Sequence, residues 1–124
     1  MKTTDNQQAV IPYLILNDAN AFFDFVTKVF GAESKNIYHR EDNITIMHAE
    51  ITISGSMIMF AQATEQYAEQ TTGLFIYVDD ADLTFKKALE NEAQVVMDLE
   101  DKDYGRSGGV KDPTGNTWWI PGRN

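Results

Sequence analysis

His48 and Glu50 are the two residues in this sequence best placed for proton transfer or metal ligation. Residues two apart in an extended segment project to one face, so the imidazole and the carboxylate can share a hydrogen bond or a divalent cation. In an acid/base role Glu50 would orient the ring, since a general base works best when held in one tautomer and geometry. The same alternation puts Ile44 and Ile46 on that face, and a solvent or subunit edge would satisfy both polar groups without any chemistry. His39 stands in YHRED ahead of a polar turn and reads as a surface residue.

A second group is aromatic. Trp118 and Trp119 must point to opposite sides of their strand, one into the core and the other, taken as Trp119, toward a cavity. Phe75 and Tyr77 alternate onto one face, and Leu14, Met57, Met59 and Thr117 are expected to line the same cavity. Tyr104 and Arg106 flank Gly105 in a predicted loop with Ser107-Gly108-Gly109, where the guanidinium could take an anionic group. Good small-molecule sites are mostly apolar with a few placed polar groups, and this set has that balance.

Other chemistries lack their residues. The chain has no cysteine, which removes thiolate nucleophiles, iron-sulfur clusters and disulfides. No phosphate-binding glycine loop with lysine, nucleophile elbow or His-Glu-x-x-His stands in it. Nineteen acids against ten Lys and Arg give a net charge of -9, which argues against a nucleic-acid partner. Nine of those acids lie between Asp79 and Asp103 with three lysines, a stretch that could draw cations but also reads as a solvated acidic surface. No basic leader with an apolar run and no span-length apolar stretch is seen, so neither export nor a membrane partner is expected and the expected home is cytoplasmic.

The elements that must position these residues come in two copies. At 124 residues and 43% hydrophobic content, one domain over 1–124 with a real core is expected. Ala9 to Leu16 reads as a strand, Asn17 and Asp18 cap a helix from about Ala19 to Phe30, and Gly31 stops it. Extended runs follow at Ser34 to His39, Ile44 to Ile53 and Met57 to Gln62, with a tight turn at Ser54-Gly55. After a polar linker, Ala63 to Thr72, the order repeats. Leu74 to Val78 is a strand, Asp79-Asp80 caps a helix to about Asn91, and extended segments lie near Ala93 to Asp98, Gly108 to Lys111 and Asn116 to Ile120. Asp18-Ala19 matches Asp80-Ala81 at an offset of 62, and Gly55-Ser-Met-Ile-Met-Phe matches Gly115-Asn-Thr-Trp-Trp-Ile at 60. The fold class is therefore α+β, as two tandem βαβββ modules at about 8–62 and 73–122 that pack on each other because neither can cover its own sheet.

With YLIL-ND, FGAE, His48-Ala-Glu50, GLFIYVDDAD and YGRSGGVKDPTGNTWWI on the page, the chain resembles the glyoxalase/bleomycin-resistance/extradiol-dioxygenase (vicinal oxygen chelate) superfamily and its PhnB-like branch. The resemblance implies a mixed sheet curled into a cup with the helices outside, in a homodimer whose modules pair within or across chains. Its enzymes hold one divalent metal on four strand positions, which by motif fall here on Pro12, Met59, Gly73 and Trp119. None offers a suitable ligand atom, so no metal or other cofactor is expected. Two functions follow. One is metal-independent binding of a small organic ligand, cationic or aromatic, gripped by Trp119, Tyr77 and Phe75. The other is a divalent-metal-dependent lyase, isomerase or dioxygenase with its site relocated to His48 and Glu50. A cup serving only as a dimerisation scaffold is the third reading, and whether the protein is an enzyme stays open at this point.

Overall fold

A computed structural model of the chain describes residues 8–122. The first module runs β1 (Tyr13–Leu16), α1 (Ala19–Phe30), β2 (Glu33–His39), β3 (Ile46–Ile53) and β4 (Ser56–Gln62). The second runs β5 (Gly73–Phe75), α2 (Ala81–Glu90), β6 (Gln94–Lys102), β7 (Gly105–Lys111) and β8 (Thr117–Pro121). Each module forms a four-stranded mixed sheet, ordered β1-β4-β3-β2 and β5-β8-β7-β6, with the first strand parallel to the last and the others antiparallel. The tandem βαβββ architecture is thus present. The curled sheet is built as two sheets, and among the described residues no strand of one belongs to the other.

Local sequence explains the elements. In α1, Ala19, Phe22, Phe25, Val26 and Val29 are buried at helical spacing, Asp18 accepts a hydrogen bond from the Ala21 N–H, and Gly31 closes the helix at a φ of 68°. In α2, Asp80 caps the Leu83 N–H, and Ala81, Phe85 and Ala88 are buried. The β3–β4 turn puts both Ser54 and Gly55 at positive φ, 49° and 85°, the twist a two-residue hairpin needs. The linker is not idle chain: Gln70 exchanges two backbone hydrogen bonds with Ile15, so it covers the outer edge of β1.

One core joins the modules. α1 and α2 touch, and the helix-facing side chains of both sheets form a continuous buried cluster. Trp118, 1% exposed, comes from β8 of the second module yet lies 4.5 Å from the Phe30 ring and 6.4 Å from Phe22 of the first. Burying a side chain such as Phe22 stabilises by roughly 1.5 to 3 kcal/mol, so this shared ring cluster binds the modules together. Gly108 on β7 allows α2 to approach: a Cβ there would stand 2.8 Å from the Phe85 ring.

Two local expectations are corrected. The predicted loop over Gly105 to Ser107 is strand: β7 takes in these residues together with the extended run expected from Gly108 to Lys111, and its partners on either side are β6 and β8. Ile46 does not share a face with His48. The pairings of His39 with Ile46 and Tyr38 with His48 leave Met47 as an extra residue, a bulge that reverses the alternation and sends Ile46 into the core. Ile44 lies outside the strand and is exposed.

Candidate functional site

The faces turned away from the helices carry the candidate residues. On the first sheet, Tyr13 pairs with Met59, Glu50 with Met59 and His48 with Ala61, so these side chains and Met57 emerge on one open face. His48 and Glu50 therefore do lie among the methionines of the first module. Leu14 does not. It pairs with Phe60 and is 1% exposed in the core, because alternation along β1 gives the open face to Tyr13 and Ile15.

Around His48 the open face is polar and aromatic. The Tyr13 hydroxyl lies 3.4 Å from His48 Nδ1, and His48 Nε2 lies 3.9 Å from Glu50 Oε2. Asn36, opposite Glu50 on β2, donates from Nδ2 to Glu50 Oε1 at 3.1 Å. Tyr13 and Tyr38 place ring centroids 5.7 and 6.0 Å from the imidazole. The arrangement suits the tautomer in which the phenol donates to Nδ1 and Nε2 keeps its hydrogen toward the carboxylate. No motif in the sequence singles out Tyr13, Tyr38 or Asn36 as site residues. The offset of 62, which makes Tyr13 the counterpart of Phe75, was the signal that could have found the first of them.

On the second sheet, Phe75 pairs with Trp119 and Gly73 with Thr117, placing Phe75, Thr117 and Trp119 on the open face. The Tyr77 ring meets Phe75 edge-on at 5.3 Å. Gly109, beside Trp119 on β7, supports the indole: a Cβ there would fall 2.7 Å from Trp119 Cε3 and Cζ3. Met57, Phe75 and Tyr77 converge at a 430 Å³ cleft between the modules, which Gln8, Val10 and Pro12 help to line. Trp119, Met59 and Thr117 lie outside that lining.

Tyr104 and Arg106 sit elsewhere. Tyr104 is exposed in the β6–β7 turn. Arg106 points to the helix side and is held by two carboxylates, Asp82 on α2 at 2.9 Å and Asp101 on β6 at 3.2 Å. Hydrogen bonding to Asp82, then to Asp101, raises its pKa further above the ordinary arginine value. The guanidinium is thus engaged in acid pairs, and neither residue lines the open faces.

The positions that would hold the superfamily's metal can be placed by register. Tyr13 opposite Met59 and Phe75 opposite Trp119 make Tyr13 and Phe75 equivalent, so the counterpart of Gly73 is Ile11 and not Pro12. Ile11, Met59, Gly73 and Trp119 provide no oxygen or imidazole ligand, and the residues do not fit a divalent ion there. Among the described residues no three His, Asp or Glu side chains converge.

Comparisons with known proteins agree with the geometry. An uncharacterized protein of Mycobacterium bovis, Mb0911c, is 30% identical over 126 residues, covering 92% of this chain and 82% of its own length. Among solved structures, TioX from Micromonospora sp. ML1 superposes with a TM-score of 0.77 at 23% identity, covering 95% of this chain and all of its own. A PhnB protein from Bacillus cereus gives 0.71 at 19%, covering 93% and 99%. At these identities the two structures speak for the fold alone. Residues 8–120, from the edge of the first module into β8, match one family description, and the chain belongs to the Glyoxalase/Bleomycin resistance protein/Dioxygenase superfamily.

Proposed function

We propose that this protein binds a small organic ligand on its open sheet faces and holds it without a metal, acting by sequestration. The observation that carries this reading is the exchange of donors for apolar groups: where the superfamily's enzymes would place metal ligands, this chain has Ile11, Met59, Gly73 and Trp119, flanked by Met57, Phe75 and Tyr77. A methionine and aromatic surface grips planar organic molecules through dispersion and ring contacts. We further propose a cytoplasmic homodimer of the PhnB-like branch, in which the face of one module stands opposite the other module's face in a second copy. The half-exposed Tyr13, Tyr38, Phe75 and Tyr77 support such a pairing, since contiguous exposed apolar patches usually mark an interaction. Among the described residues no helix is long and apolar enough to cross a membrane.

The test is a titration of metal-stripped protein with Ni(II), Zn(II), Mn(II) and, without oxygen, Fe(II), followed by a panel of aromatic compounds read by tryptophan quenching. No micromolar metal binding and a saturable quench lost in Trp119→Leu are expected. The alternative, a metal-dependent lyase, isomerase or dioxygenase, has His48 and Glu50 as its donors, 3.9 Å apart. Stoichiometric metal binding abolished by Glu50→Ala would establish it, and turnover of any panel compound would end the sequestration reading.

A further inference from the structure

Glu50 has no lysine or arginine within ion-pair distance among the described residues. Its side chain is 22% exposed, its Oε1 is taken by Asn36, and His48, 3.9 Å from Oε2, is the one basic residue within ion-pair distance among the described residues. The rings beside it are arranged in a row across the sheet: Tyr13 and Tyr38 flank His48 with planes inclined 32° and 34° to it, and each tyrosine is 52% exposed. Ala61, opposite His48, contributes only a methyl group to this face, and a neighbouring depression of 290 Å³, lined by Ala61 with Ile15, Gln62 and Tyr67 of the linker, shares only Tyr13 with the ring row.

From this juxtaposition we propose that Tyr13, Tyr38, His48 and Glu50 form a subsite for an organic cation, with the carboxylate as its counter-charge and the ring faces as its walls. The proposal rests on the binding reading above and names its ligand class. Ring faces attract a weakly hydrated ammonium but cannot replace the water of a small inorganic cation, so the pairing of aromatic walls with one carboxylate selects an alkylated or aromatic ammonium over sodium or potassium. The net charge of -9 adds a long-range field of the right sign.

The experiment is NMR of the full chain with side-chain resonances of Tyr13, Tyr38 and His48 assigned, titrated with tetramethylammonium chloride, with its neutral counterpart tert-butyl alcohol, and with sodium chloride at matched ionic strength. Saturable shifts at these rings with tetramethylammonium, about tenfold tighter than with the alcohol and absent with sodium, are expected. Glu50→Gln, which keeps the shape and the Asn36 contact, should remove that preference, and Tyr38→Leu should weaken cation binding several-fold. Equal affinity for alcohol and cation, or a cation preference that survives Glu50→Gln, would overturn the subsite while leaving the binding reading intact. Absence of any shift with tetramethylammonium would overturn it too. The Trp119 quenching panel decides the broader reading separately.

Discussion

At the scale of single residues, the strongest constraints fall on side chains that touch no candidate ligand. Asp112, 4% exposed, accepts through Oδ1 from the Thr114 N–H, the Thr114 hydroxyl and the Asn116 N–H, and through Oδ2 from Asn116 Nδ2 and Trp118 Nε1. The Asp-Pro-Thr-Gly run reads as turn chemistry in the sequence, and so it is, but the carboxylate also anchors the indole that joins the two modules. Asp112→Ala leaves a buried Trp118 N–H unpaired and should cost roughly 2 to 4 kcal/mol in denaturant unfolding. Asp112→Asn, which keeps one acceptor oxygen, should cost less. Gly109 imposes the reverse constraint, one of space. Its missing Cβ is the room in which the Trp119 ring lies, so Gly109→Ala should displace the ring, cost about 1 to 3 kcal/mol and shift the tryptophan emission. If Trp119→Leu in the same background restores stability, the clash is the cause; an unrestored double variant would point to β7 backbone strain instead.

Elements were legible where a single physical signal governs them. The α1 boundaries follow from Asp18, Gly31 and the apolar spacing between them, and they coincide with the helix found, Ala19–Phe30. The repeat offsets foretold that Met59 and Trp119 occupy equivalent positions, as their pairing with Tyr13 and Phe75 shows. What failed depended on partners that alternation cannot see. The bulge at Met47 is a property of the β2–β3 pairing, the inward parity of Leu14 follows from its pairing with Phe60 and not from the repeat, and glycine-rich β7 carries little apolar alternation because its packing comes from Phe85 and Trp119 on other elements. The β2–β3 turn gives an element-scale prediction. Asp42 accepts from the Thr45 hydroxyl at 2.6 Å and from the Ile44 and Thr45 N–H groups at 2.8 Å, and these bonds, led by the Thr45 hydroxyl, lower its pKa from 3.8 to about 2. A carboxyl whose pKa is depressed by folding contributes stability that is full above its unfolded pKa and lost as pH falls through the folded one. Asp42→Asn should therefore be less stable than the parent at neutral pH, with the gap closing between pH 3.8 and about 2 in thermal scans. A gap that stays constant over that range would mean that the hydrogen bonds, not the charge, carry the turn.

At the scale of the whole molecule, fold and charge pull the proposed assembly in opposite directions. Both sheets cover one face with helices and leave the other to solvent, with Tyr13 and Tyr38 on the first and Phe75 on the second about half exposed. Apposing two such faces removes apolar surface from water, yet each chain brings a net charge of -9 to the dimer. Contact between the faces is short-ranged and indifferent to salt, whereas repulsion between the chains is screened within about 10 Å at 0.1 M ionic strength. The dimer should accordingly tighten as sodium chloride rises from about 10 to about 150 mM in sedimentation equilibrium, the opposite of an interface held by salt bridges. Phe75→Glu adds a charge on the face proposed for the contact and should yield a monomer with unchanged helix content, because Phe75 is exposed and the core on the far side of β5 is untouched. Dissociation on adding salt would assign the assembly to ion pairs at another surface, and a monomer at every salt concentration would require the ligand to be held by one chain alone, in the cleft between its own modules.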